Sequence, residues 1–120
     1  MRRRVVVTGL GMINPLGTDV DTVWNALVNA QSGVGYISVF DASSYPTRIA
    51  AEVHGWTVAE CGQDPQVWAK RGRHARFAAG AAQQAISDSG ILDAISDPTR
   101  MGVYFGAGEG NQDFYNFTQM

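Results

Sequence analysis

One hundred and twenty residues, 45% hydrophobic and 17% charged, are enough for one compact domain with a real core and too few for two. Nine Lys and Arg against eleven Asp and Glu leave a net charge of -2, which excludes nucleic-acid binding through bulk positive charge. The single cysteine, Cys61, can close no internal disulfide and has no zinc-type Cys/His spacing around it, so the chain is expected in the cytoplasm with no metal and no cofactor.

In chain order, Arg2 to Arg4 before Val5 to Val7 have the outline of a secretory leader, but Thr8-Gly9, Gly11 and Asn14-Pro15 break the apolar run before an h-region forms. No stretch reaches the ~20 apolar residues of a membrane helix. Arg3 to Thr8 reads instead as a strand buried on both faces. Thr18 is the expected N-cap of a helix with Asp19 and Asp21 in its first turn, and Val20, Trp24, Leu27 and Val28 form its apolar stripe until Gln31-Ser32-Gly33. Residues 34–46 have no sustained period, and Arg48 to Val53 reads as a second strand.

Asp64-Pro65 supplies an N-cap and an N1 proline for a short helix expected to end at Gly72. Arg73 to Ser89 is the longest helical pattern, with Phe77, Ala78, Ala81, Ala82, Ala85 and Ile86 on and beside one stripe and Gly90 as the stop. Small side chains there let a neighbouring backbone approach closely. Met101 to Phe105 reads as a third strand leading into Gly106-Ala107-Gly108-Glu109-Gly110, and Asp113 caps a segment from Phe114 to Met120. A helix begun so late has nothing after it to pack against, so the chain is expected to be an N-terminal piece of a longer protein.

Three patterns bear on chemistry. Val5 to Val7 followed by Gly9-x-Gly11 suggests a dinucleotide loop, but Asn14-Pro15 stands where the third glycine belongs and no helix starts there. Gly9, Gly11 and Gly17 are then expected to serve a tight turn with unusual dihedrals. Gly106, Gly108 and Gly110 lack the lysine of a phosphate loop, leaving a cleft lining or a close backbone approach as their role. Cys61 lies in a polar loop with nothing beside it to lower its thiol pKa, and His54 and His74 are isolated. Lys70, Arg71, Arg73 and Arg76 concentrate four of the nine positive charges in seven residues, either as a solvated helix start or as a docking patch for an acidic or phosphate-bearing partner.

The run Val5-Val6-Val7-Thr8-Gly9-Leu10-Gly11-Met12-Ile13-Asn14-Pro15-Leu16-Gly17 resembles the opening of the elongating beta-ketoacyl-acyl carrier protein synthases, types I and II. Trp24 to Leu27 with Gln31-Ser32-Gly33, Phe40-Asp41, Ile49 to Val53, Ile86 to Gly90, and Arg100-Met101-Gly102 running into Gly106-Ala107-Gly108 continue the resemblance in order along nearly the whole chain. Thiolases and the initiating synthase open differently.

The resemblance implies an α/β class and the N-terminal part of a thiolase-like fold, layered α/β/α/β/α. It also implies a homodimer, acyl carrier protein as partner, acyl and malonyl thioesters as substrates, and carbon–carbon condensation as the reaction. The family's nucleophilic cysteine and two histidines are expected beyond Met120, because neither Glu60-Cys61-Gly62 nor Val53-His54-Gly55 matches their contexts. Lys70, Arg71 and Arg73 fall near the family's carrier-protein docking face. Gly108 and Glu109 fall in an acyl-pocket or interface loop, with a carboxylate at Glu109 where several members place an apolar residue. A chain-length-factor-like subunit without the cysteine, a nucleotide-binding module and a purely structural fragment are the alternatives.

Overall fold

The computed structural model describes residues 2–108, and the chain divides into two compact units, Met12–Trp56 and Met1–Gly11 with Thr57–Met120. Two units arise where length suggests one because residues up to Gly11 join the later part of the chain, while the stretch after them closes on itself.

Met12–Trp56 opens on a turn: Asn14 N donates to Gly17 O at 2.9 Å, Gly17 N returns the bond to Asn14 O at 3.1 Å, and Asn14 Oδ1 accepts from Leu16 N at 2.9 Å. Helix α1, Val20–Val28, is capped by Asp19 and not by Thr18; the Asp19 carboxylate accepts from Thr22 N at 2.8 Å and from Thr22 Oγ1 at 2.7 Å. Anionic acceptors suit the positive end of a helix better than a hydroxyl does. Val23 and Ala26 are its buried residues, whereas Trp24, Leu27 and Val28 are 63%, 54% and 59% exposed. The expected stripe is therefore wrong by about one residue, roughly 100° around the helix. Val23 and Ala26 also sit at helical spacing, and their small size admits closer packing than the indole does.

A pair of crossed bonds ends α1, Gln31 N to Ala26 O at 2.9 Å and Ala30 N to Leu27 O at 3.1 Å, with Ala30 in the left-handed region at φ 53. That conformation suits glycine, since a Cβ there crowds the following carbonyl. Ala30→Gly is expected to raise stability by about 0.5–1 kcal/mol, the relieved strain being partly offset by glycine's greater freedom when unfolded. An unchanged or lower urea midpoint would contradict this. Strand β1, Val34–Tyr36, pairs antiparallel with β2, Ile49–Ala51, in the register Val34–Ala51, Gly35–Ala50, Tyr36–Ile49. β2 lies inside the expected Arg48 to Val53 strand. β1 has no sequence signature because it is three residues long and exposed throughout.

The second unit is organised by α3, Arg73–Ser89, with Gly90 at φ 59 as its stop, as its sequence suggests. A 3-10 turn at Val58–Cys61 packs on α3 and buries Val58 to 3% exposure. Cys61 is thus part of a helical turn and not of a loop. Glu60 Oε1 accepts from Thr57 N at 2.8 Å, fixing the start of that turn. Helix α2, Pro65–Trp68, has its expected cap, Asp64 Oδ1 accepting from Gln66 N at 2.8 Å, but it ends at Trp68 and not at Gly72.

Gly9 and Gly11 press on α3 at every fourth residue. A Cβ on Gly9 would strike Ala85 O, and one on Gly11 would strike Ala81 O. Leu10 N, between them, donates to Asp88 Oδ2 at 2.9 Å. Neither glycine has a positive φ, nor has Gly17, so close approach and not unusual dihedrals requires Gly9 and Gly11.

The expected strands at Arg3 to Thr8 and Met101 to Phe105 do not form. Both segments lack ladder partners among the described residues, with Val5 94% and Tyr104 96% exposed. A strand exists only through pairing, and an apolar run specifies burial without specifying its partner. Buried apolar residues among those described are correspondingly few: Val23, Ala26 and Ala42 in one unit, Val58 in the other. Glu109, Asp113 and the segment from Phe114 to Met120 lie outside the described residues.

Candidate functional site

The positive residues singled out from sequence meet at the junction of α2 and α3. Lys70 and Arg71 lie in the connecting turn, exposed, and Arg73 is the first residue of α3, also exposed. Arg71 N donates to Trp68 O at 2.9 Å, closing the end of α2. Gly72 is buried and serves as the N-cap of α3, with Ala75 N and Arg76 N donating to its carbonyl at 3.1 and 3.2 Å. The Arg73 guanidinium carbon stands 5.5 Å from the centre of the Phe77 ring, a cation–π distance.

No acidic residue occupies the first turn of α3, where the helix dipole would favour one; Arg73, His74 and Arg76 stand there instead. Cations at a helix N-terminus cost stability and add to the positive potential of the helix end. A local rule broken in this way, on an exposed turn of a chain with net charge -2, makes this turn the candidate site among the described residues.

Other candidates offer no comparable concentration of charge. Cys61 Sγ donates to Val58 O at 3.1 Å, a backbone acceptor that does nothing to stabilise a thiolate. Gly108 is exposed, and Glu109 lies outside the described residues. An open depression of about 230 Å³ is lined by Ile91, Ala94, Ile95, Asp97, Arg100 and Met101, none of them a residue singled out for chemistry. No cluster of three metal-ligating side chains occurs among the described residues. No described helix is long and apolar enough to cross a membrane.

The Gly9 to Gly11 segment cannot cradle a phosphate. Its two glycines abut the backbone of α3, and the Leu10 amide is already bonded to the Asp88 carboxylate, which would repel an anion.

Sequence inspection misses one polar cluster, in the Met12–Trp56 unit. Glu52 accepts from Ser38 Oγ at 2.8 Å and from Ser38 N at 3.0 Å, and His54 Nε2 stands 3.6 Å from Glu52 Oε2. The signal available is the i, i+2 spacing of Glu52 and His54 beyond β2, which puts both on one side of extended chain. Ser38 donates directly to the carboxylate, so no histidine activates the hydroxyl and the cluster is not a nucleophile relay. The Ser38 side chain first, then the Ser38 and Val39 amides and His54, hold the Glu52 carboxyl below its ordinary value of 4.5. Because that pKa is lower in the folded state, the bonds contribute fully above pH 4.5 and are lost as pH falls through the folded value. Glu52→Gln is expected to flatten the acid limb of the stability–pH curve below that point, and the Ser38 amide resonance of the parent should titrate with Glu52. An acid limb unchanged in Glu52→Gln would contradict the assignment.

A chain so built, α/β with an amide-tethered glycine segment on a long small-residue helix, is compatible with the condensing-enzyme class. Residues 2–120 match the family model "Beta-ketoacyl synthase, N-terminal domain". The chain is 44% identical over 109 residues to 3-oxoacyl-[acyl-carrier-protein] synthase 2 of Coxiella burnetii, covering 91% of this chain and 26% of that protein. It is 37% identical over 112 residues to the synthase 2 of Vibrio harveyi, covering 93% and 27%. Among solved structures it resembles the ishigamide ketosynthase/chain length factor, with a TM-score of 0.66 and 33% identity over 75% of this chain and 22% of the other. The chain belongs to the beta-ketoacyl synthase family and spans about a quarter of the length of these relatives.

Proposed function

We propose that residues 1–120 are the N-terminal part of an elongating beta-ketoacyl-acyl carrier protein synthase, contributing scaffold and part of a docking face for acyl carrier protein. The observation that carries this reading is the family match along residues 2–120, with a nucleotide-binding module disfavoured by the Asp88 carboxylate already bonded to the Leu10 amide. In the proposed reaction an acyl group passes from a carrier thioester to a cysteine, malonyl carrier protein loses carbon dioxide, and the resulting carbanion attacks the acyl thioester. The cysteine and the two histidines that serve this chemistry are placed outside residues 1–120.

Val5 to Val7 and Met101 to Phe105 are taken as strands whose ladders complete only in the layered thiolase-like fold of the whole enzyme, which would account for their exposure here. The same reading carries a cytoplasmic homodimer, with Gly108 and Glu109 in a loop at the acyl pocket or an interface. Lys70, Arg71 and Arg73 face the carrier protein, whose acidic surface their positive field would steer.

The test is decarboxylative condensation by the intact synthase containing this segment, with acyl and malonyl carrier proteins as substrates, beside the 120-residue chain alone. Beta-ketoacyl carrier protein should form only with the former, and Cys61→Ser should leave turnover near the parent value. Acyl transfer to Cys61, detected by mass spectrometry, would overturn the assignment. Decarboxylation or chain-length control without condensation would identify a chain-length-factor-like subunit instead.

A further inference from the structure

The α2–α3 turn contains a fourth cation, Arg76, that spends its donors inward. Half-buried one turn into α3, Arg76 donates through Nε to Arg71 O at 2.9 Å and through Nη2 to Ala69 O at 2.9 Å. The two carbonyls belong to the residues on either side of Lys70. One planar guanidinium therefore clamps the backbone on both flanks of that lysine. Gly72, next in sequence, caps α3 through its carbonyl but has no side chain with which to restrain the turn.

We propose that Arg76 is a positioning residue for carrier-protein docking: it holds the 69–71 backbone so that Lys70 and Arg71 are presented from one fixed geometry. This rests on the docking reading given above. The chemistry favours arginine specifically, because its rigid fork can reach two acceptors in one plane, whereas a lysine at the same place brings an equal charge but no fork. Arg76 differs in role from its neighbours: its guanidinium is committed to two carbonyls of the turn, while Lys70 and Arg71 are exposed on the turn it braces. A pre-organised pair of cations loses less freedom on meeting an acidic partner than a mobile pair does.

The experiment measures binding of holo-acyl carrier protein to the intact synthase containing this segment at low ionic strength, for Arg76→Lys, Arg76→Gln, the double variant Lys70→Ala/Arg71→Ala, and the triple variant adding Arg76→Lys. Arg76→Lys keeps the charge and loses the fork, and its Kd is expected to rise about threefold, with Arg76→Gln no weaker in effect. The double variant should raise Kd about fivefold, and the triple should bind no worse than the double, because Arg76 acts through the residues already removed. A purely structural role would multiply the two losses instead. Nitrogen relaxation of the 69–71 amides supplies an independent signature: they should be as rigid as α3 in the parent and mobile in Arg76→Lys. That comparison also holds the proposal to account where a variant is too unstable for titration, since mobile 69–71 amides in the parent overturn it. Parent-like binding by Arg76→Lys, or a multiplicative triple variant, overturns the positioning role. An unchanged Kd in the double variant overturns the docking reading itself, so the two failures are distinguishable.

Discussion

Gly11→Ala is expected to destabilise the chain by about 2–4 kcal/mol, the largest single-site effect foreseen, and Gly9→Ala by a similar amount. A Cβ on Gly11 would overlap Ala81 O and come within 2.8 Å of Ala81 C and 2.9 Å of Gln84 Cβ. On Gly9 it would overlap Ala85 O and come within 2.8 Å of Ser89 N. Most of these neighbours are backbone atoms of a 17-residue helix, so no side-chain rotation can make room. The segment must lift, and lifting breaks the 2.9 Å bond from Leu10 N to Asp88 Oδ2. Overpacking alone costs roughly 1–3 kcal/mol, and the lost charge-assisted bond adds to it. Gly35 is the control: it lies in β1 without a positive φ, and a Cβ added there would meet nothing within 4 Å, so Gly35→Ala should stay within about 0.5 kcal/mol of the parent. Urea midpoints of the three variants decide the matter, and equal losses at Gly11 and Gly35 would refute the close-approach account.

These glycines also mark the limit of what the sequence could say. Their presence is legible, and so is the small-residue stripe at Ala78, Ala81, Ala82 and Ala85, but not that one presses on the other, because no local rule links residues about seventy positions apart. Features governed by nearest neighbours are legible: the Asp64 cap, Pro65 at N1, the span of α3 and its Gly90 stop all follow from backbone chemistry within one turn. Features governed by tertiary pairing are not. Val5 to Val7 and Met101 to Phe105 have strand composition but no partner among the described residues, while Val34–Tyr36, too short to show a period and interrupted by Gly35, pairs because β2 lies opposite it. The α1 stripe fails for a related reason: two apolar stripes share that helix, and the choice between them is made by packing.

At the candidate site the same division holds. Charge concentration at Lys70, Arg71, Arg73 and Arg76 is plain in the sequence, but a count treats the four alike. Only the hydrogen bonds from Arg76 to Ala69 O and Arg71 O separate the one that braces the turn from those exposed on it.

Reversing Lys70 and Arg71 to Glu in the intact synthase is expected to raise the apparent KM for acyl carrier protein on the order of tenfold while leaving kcat near the parent value. Each exposed pair is worth only ~0.2–1 kcal/mol, but a reversal replaces an attraction by a repulsion of similar size, and two reversals act together. The effect belongs to encounter, since neither side chain is assigned contact with reacting atoms, so the loss appears in KM and not in turnover. Salt discriminates further. Exposed charges lose most of their reach beyond about 8 Å at physiological ionic strength, so added salt should raise the parent's KM and raise the variant's less. An acyl group on a short pantetheine carrier presents no acidic protein surface and should be used equally well by both enzymes. Equal losses on the pantetheine and protein-borne substrates would mean that Lys70 and Arg71 support the fold; a loss confined to the carrier protein and erased by salt would mark the turn as the place where that partner arrives.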